Sequence, residues 1–304
     1  MPDAALLKKS ISVGVVNAFV VDGQGGNPAG VVLDADDLSE TDMQAVAARV
    51  GLSETAFVSR SDIAGFRLDF FTPNRRIPHC GHATIATFSR LAELGRVTDG
   101  ETSKQTVDGP RKIFIRDGMA YMEQLAPVYR RSDDWVTEGV SASQVLASVG
   151  LASDRVDPRF PPVVVSTGNG MMYVGVRSGA DLRDLVPDMA AISDISEKLD
   201  LVGYYIFTTD PGATGEDATA RMFGPRFAIE EEAATGMAAG PLACLLHDSL
   251  PEKKATWIIE QGHYMTPPSP SRITVELDRD GDRITGLLAG GHGRLMREMT
   301  VTLD

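Results

Sequence analysis

The strongest constraint on the fold is a pattern that occurs twice, about half a chain apart. In the first copy, an apolar run through Phe66, Leu68 and Phe70 ends at Thr72-Pro73, a polar loop follows, and Cys80-Gly81-His82 opens an apolar stretch from Ala83 to Leu94. In the second, Ala218 to Phe223 ends at Gly224-Pro225, and after a loop Thr235-Gly236-Met237 opens a stretch running through Ala243. Each copy reads as a strand, a loop and a helix start. A helix start offers unpaired backbone N–H groups and the positive end of the helix dipole, so it can hold a carboxylate or stabilise a thiolate. Two such starts predict a duplicated lobe and one site shared by the two halves.

The segments around these copies are short strands alternating with isolated helices. Ser12 to Val21 and Ala29 to Leu33 read as strands flanking the glycine-rich turn Asp22 to Pro28, and Ser39 to Val50 as a capped amphipathic helix ended by Gly51. Gln105 to Val107, Arg111 to Ile115 and Ala120 to Glu123 read as antiparallel strands that complete a first lobe, residues 1–126, with a boundary over Ala126 to Trp135. In the second lobe, 127–304, helices are expected at Ser141 to Val149, Asp181 to Val186 and Met189 to Leu199. Strands are expected at Pro162 to Ser166, Met172 to Val176, Gly203 to Thr208, Ala218 to Phe223, Ile273 to Leu277, Arg283 to Ala289 and Arg294 to Val301. The regular βαβ rhythm of a parallel sheet is missing, so the fold class is α+β with two similar lobes.

Composition narrows the function. The chain of 304 residues has a net charge of −13 and no dense block of Lys or Arg, which argues against nucleic acid as a partner. Cys80 and Cys244 are the two cysteines, too few for a disulfide framework, and a reducing compartment fits them. The first twenty residues lack the apolar core and cleavage site of a signal peptide, and no window reaches the length of a membrane span, so a cytoplasmic location is expected. The turn at Gly23 to Asn27 resembles a phosphate loop superficially, but Pro28 stands where the third glycine of G-x-G-x-x-G belongs and a strand follows, which argues against a nucleotide site.

Among candidate site residues, Glu54 lies at a strand start next to apolar positions. It reads either as a solvated loop acid or as a buried carboxyl with a catalytic task. His82 reads as a helix-capping or core histidine, or as a group that holds substrate or orients Glu54. Asn27, Thr167 and Gly168 serve equally well as turn formers and as contacts at the rim of a site. The spacing His79-x-Cys80-x-His82 is wrong for a common structural zinc site, and His247, His263 and His292 show no paired spacing, so no metal is expected. Cys244 reads as a small buried hydrophobe.

Asn27-Pro28, Leu52 to Phe57, Phe71-Thr72-Pro73, Cys80 to Thr84, Ala234-Thr235-Gly236 and Ala239 to Ala243, in this order, resemble the PhzF-like family, named for an isomerase of phenazine biosynthesis. The resemblance implies the diaminopimelate epimerase-like fold, in which each lobe wraps an antiparallel sheet around one central helix and the site lies in the cleft between the lobes. It also implies a homodimer, no cofactor, and a small carboxylate-bearing substrate like trans-2,3-dihydro-3-hydroxyanthranilate, isomerised by moving a proton between carbons. The family's proton-shuttling glutamate falls on Glu54 and its helix-start histidine on His82. Glu232 stands where the family has an active-site aspartate, and Met237 where it has a serine, which places an apolar side chain where a hydroxyl is usual. The resemblance makes Cys80, Gly81, Thr235, Gly236 and Met237 substrate contacts. Two other readings remain: an amino-acid epimerase or dehydratase using Cys80, alone or with Thr235, and a non-catalytic small-molecule binding protein.

Overall fold

The computed structural model describes residues 9–303; the first eight residues, part of the segment judged to lack a signal peptide, and Asp304 lie outside them. The chain divides into two compact units. Among the described residues, one contains 9–23, 27–122 and 291–303; the other contains 24–26 and 123–290. Residues 291–303 therefore belong with the first lobe, and the second lobe is not one continuous stretch from 127.

The first unit is built from β1 (Lys9–Ala18), β2 (Asn27–Val32), α1 (Glu40–Val50), β3 (Thr55–Ser59), β4 (Phe66–Phe71), β5 (Arg76–Ile77), α2 (Gly81–Glu93), β6 (Gly100–Thr106), β7 (Gly109–Arg116) and β8 (Met119–Leu125), whose last residues pass into the second unit. The second unit contains β9 (Val128–Arg131), α3 (Ser132–Trp135), α4 (Ala142–Ser148), β10 (Val163–Ser166), β11 (Gly170–Val176), α5 (Gly179–Arg183), α6 (Met189–Lys198), β12 (Leu201–Thr208), β13 (Ala218–Gly224), β14 (Ile229–Glu232), α7 (Gly236–Ser249), β15 (Thr256–Gln261), β16 (Ser271–Asp280) and the first part of β17 (Arg283–Leu303).

Strand pairing shows the duplication directly. In the first unit β1 pairs antiparallel with β2, β2 parallel with β3 across α1, β3 antiparallel with β4, and β4 parallel with β6 across α2. In the second, β10 pairs antiparallel with β11, β11 parallel with β12 across α5 and α6, β12 antiparallel with β13, and β13 parallel with β15 across α7. Short β5 and β14 sit at the same step of each copy. The antiparallel pairing expected around each central helix is present, with parallel pairs added to it. Each unit has two parallel pairs, because a helix between two strands returns the chain to the end it left and only such a crossover can join parallel neighbours.

Two faces of each sheet are covered. In the first unit Met43, Val46, Ala47 and Val50 of α1 pack with Phe57, Phe71, Val301 and Leu303, while α2 packs against β1, β2 and β3 and buries Ala83, Ile85, Phe88 and Leu91. In the second, α4 and α6 join Trp135, Tyr204 and Ile206 in one core, and α7, buried along nearly its whole length, packs against β10, β15 and β16. Burial from both sides explains why the strands read as continuous apolar runs.

Three sequence expectations shift. β17 is one strand where two were expected, since Gly290, Gly291 and Gly293 break the apolar pattern without breaking the ladder. β9 occupies the expected boundary. β15 is a strand where the sequence predicts none, because TWIIEQ follows a charged run and carries two polar residues, both buried in the fold.

Candidate active site

Glu54 stands immediately before β3, and its carbonyl accepts a hydrogen bond from the Gly30 amide at 2.9 Å. Gly30 has a packing reason to be glycine: a Cβ there would lie 2.7 Å from Thr55 Oγ1, so the close parallel approach of β2 and β3 fixes Glu54. His82 is the second residue of α2 and is buried. The two meet, with His82 Nε2 3.3 Å from Glu54 Oε2. At the other ring nitrogen, Cys80 Sγ lies 3.6 Å from His82 Nδ1. A thiol, an imidazole and a carboxyl thus form one compact group, and Glu54 Oε2 is buried without a well-aligned hydrogen bond.

Glu54, Cys80 and His82 place one ligand-type atom each within 4.8 Å of one another. His79 lies outside this group, and the three atoms stand close enough together to orient or pass a proton.

The start of α2 has an unusual cap. α1, α4 and α6 begin with Ser39, Ser141 and Asp188, each accepting a backbone N–H with its side chain. α2 and α7 begin with Cys80 and Thr235, and neither side chain does so. Among the described helices of seven or more residues, these two central ones alone have an N-cap residue whose side chain makes no capping hydrogen bond. Gly81 adds space: its φ is not positive and a Cβ there would meet nothing within 4 Å, so neither conformation nor packing within the chain requires glycine.

In the second unit, Thr235 Oγ1 donates to Glu232 Oε2 in a short hydrogen bond. Gln261 holds this corner. Its Oε1 accepts from the Thr235 amide at 3.0 Å and from Tyr205 Oη at 2.8 Å, and its Nε2 donates to the Glu232 carbonyl at 2.6 Å and to Thr235 Oγ1 at 3.1 Å. Gly236 is buried and Met237 half-buried. Thr167 is committed to structure: its hydroxyl donates to Gln124 Oε1 at 2.7 Å, and Gln124 Nε2 donates to the Gly236 carbonyl at 2.9 Å. Gly168 has φ 140° in the turn between β10 and β11, where glycine is needed. Asn27 is buried at the start of β2, opposite Ala18. In the glycine-rich turn, Gly25 has φ 65° and a Cβ would lie 2.1 Å from the Pro270 carbonyl oxygen, so that glycine serves packing. Cys244 is fully buried, and desolvation pushes its thiol up to about 12.

Sequence reasoning misses three buried polar residues, Lys104, Glu260 and Gln261, all of which lie outside the strands predicted from the sequence.

Comparison with known proteins gives a consistent result. The family model described as phenazine biosynthesis-like protein matches residues 16–298. The chain is 34% identical over 282 residues to the uncharacterized isomerase YddE of Escherichia coli, covering 89% of this chain and 92% of that one. It is 31% identical over 295 residues to the trans-2,3-dihydro-3-hydroxyanthranilate isomerase of Pseudomonas aeruginosa, covering 93% and 96%. Among solved structures, a phenazine biosynthesis protein of the PhzF family from Bacillus anthracis superimposes with a TM-score of 0.86 at 26% identity, covering 97% of this chain and all of that one.

Proposed function

The chain belongs to the phenazine biosynthesis-like family, and from that premise we propose that it is a cofactor-independent isomerase in which Glu54 carries a proton between two carbons of a small carboxylate-bearing substrate. The observation that carries the reading is the half-buried Glu54 carboxyl, its buried Oε2 3.3 Å from His82 Nε2, beside a helix start whose N-cap side chain makes no capping hydrogen bond.

The Glu54 carboxylate takes a proton from a C–H bond made acidic by neighbouring unsaturation, and the electron pair left behind spreads into that π-system. Glu54, now protonated, returns the proton to a different carbon. One C–H bond breaks, one forms, and nothing is oxidised or reduced. A single carboxyl serves both steps, since the base of the first is the acid of the second. His82 holds the carboxyl in place, and Cys80 Sγ at the far ring nitrogen fixes how the imidazole is turned.

The backbone N–H groups of Gly81 and His82, at the first turn of α2, supply the electrophilic side. Aimed with the helix dipole, they bind the substrate carboxylate and stabilise the charge that develops when the proton leaves. The open space at Gly81 allows the substrate to approach this backbone.

The compound named for the Pseudomonas aeruginosa relative, trans-2,3-dihydro-3-hydroxyanthranilate, is the first substrate to test. Glu54→Gln keeps the size of the side chain and removes the base. With that substrate, or one found from a panel of cyclic carboxylates, it should lower kcat at least about a hundredfold with an unchanged circular dichroism spectrum. A folded Glu54→Gln protein turning over at the native rate would remove Glu54 from the mechanism.

A further inference from the structure

Lys104 is a lysine of β6 with no exposed surface. Its Nζ donates to Thr84 Oγ1 at 2.7 Å, lies 3.2 Å from His79 Nδ1 and sits 5.3 Å from the centre of the Phe70 ring. The groups facing it are His79 and Cys80 from the loop before α2, Thr84 from α2, Phe70 from β4, and Asp108 and Arg111 from the turn and strand that follow β6. No carboxylate among the described residues comes within ion-pair distance.

A buried ammonium without a counter-ion costs stability, and desolvation pulls Lys104 down to about 7. A methionine would fill the same space without that cost. What the lysine adds is a connection to the candidate site. Thr84 Oγ1, which accepts from Lys104, donates in turn to the Cys80 carbonyl at 2.6 Å, and the Thr84 amide reaches the same carbonyl at 3.3 Å. Cys80 has no side-chain cap to set its position, so this chain from β6 restrains the residue from which the first turn of α2 begins.

We propose that Lys104 is a positioning residue for the Glu54, His82 and Cys80 site, fixing the first turn of α2 through Thr84 and the Cys80 carbonyl. This rests on the isomerase reading above for its catalytic consequence, though not for its structural one. Because the relay sets where Cys80 and His82 stand while the rest of α2 is held by its own core, its loss should act on the chemical step and on the first turn alone.

Three variants of the full chain test it: Lys104→Met, Thr84→Val, which keeps the lysine, and Thr84→Ser, which keeps the hydroxyl. Lys104→Met and Thr84→Val should lower kcat about tenfold or more with KM within about twofold, and Thr84→Ser should stay near the native rate. In amide hydrogen exchange, protection of Thr84 should fall at least tenfold in Lys104→Met while that of Leu91, later in α2, is unchanged. At pH 6 Lys104→Met should melt no lower than the native protein. Native kcat together with native Thr84 protection in both Lys104→Met and Thr84→Val would overturn the proposal. So would a lowered melting temperature with protection lost along all of α2, the mark of a merely structural lysine, or Thr84→Ser failing as badly as Thr84→Val. Should the native protein turn over no tested substrate, the isomerase reading is what fails, and the exchange measurement still decides the role of Lys104.

Discussion

Glu260 allows a prediction whose size follows from its surroundings. It lies in β15 at 5% exposure, and both carboxyl oxygens are buried without a hydrogen-bond partner. Its cross-strand neighbour Arg272 is engaged with Glu216. Desolvation raises the carboxyl from 4.5 to about 8, opposed by the nearby backbone amides of Ser271 and His263 and reinforced by the negative charge of Glu216. The unfolded chain ionises at the ordinary value, so the folded state holds the proton longer. The burden is absent below pH 4.5, grows as pH rises from 4.5, and levels off above about 8. Its full size is about 5 kcal/mol. Glu260→Gln keeps the shape and never ionises. The stability of Glu260→Gln minus that of the native protein should therefore rise by about 4 kcal/mol between pH 5 and pH 9. Urea denaturation of both proteins at pH 5, 7 and 9 measures it, and taking the change with pH cancels any constant packing effect of the amide. A difference flat across that range would show that Glu260 is solvated or paired in the fold and refute the reasoning.

Other residues give shorter tests. Gln261→Leu leaves the buried Thr235 amide and the Tyr205 hydroxyl without the acceptor they share, and should cost about 2–4 kcal/mol of stability by denaturant titration; a loss under 1 kcal/mol would show that the corner holds itself. Cys80→Ser keeps a polar group beside His82 Nδ1 and should retain kcat within about tenfold, since the thiol orients and does not carry the proton in this account. Loss of turnover in Cys80→Ser with Glu54→Gln still active would favour the thiol chemistry of an epimerase.

How much of this was legible in the sequence depends on what kind of signal each feature leaves. The duplicated strand, loop and helix start is written in local composition, so Cys80-Gly81-His82 and Thr235-Gly236-Met237 could be placed at helix starts before any coordinates. Glu54 was found by its place at a strand start and by family resemblance, but its meeting with His82 depends on the parallel pairing of β2 and β3, which alternation of polar and apolar residues does not encode. Gly30 carried a hidden instruction for that pairing, since a side chain there would strike Thr55. Lys104, in the polar run Glu101 to Thr106, precedes the strand predicted from Gln105; only the crossover that lays β6 beside β4 buries it under α2. Gln261 and Glu260 were invisible for the same reason, being polar residues buried by non-local pairing. The return of the chain end to β1 was hidden by glycines that look like a turn and behave as strand. Thr167, read as a contact at the rim of a site, has its hydroxyl committed to Gln124, which no pattern around it foretells.

The account's central claim is that Glu54 moves a proton between carbon atoms. The most direct measurement incubates the protein in heavy water with trans-2,3-dihydro-3-hydroxyanthranilate and a panel of cyclic and amino-acid carboxylates, following deuterium uptake by NMR, with Glu54→Gln alongside. The account predicts deuterium entering carbon positions of one or more compounds with the native protein and not with Glu54→Gln. Uptake at equal rates with both proteins would contradict it.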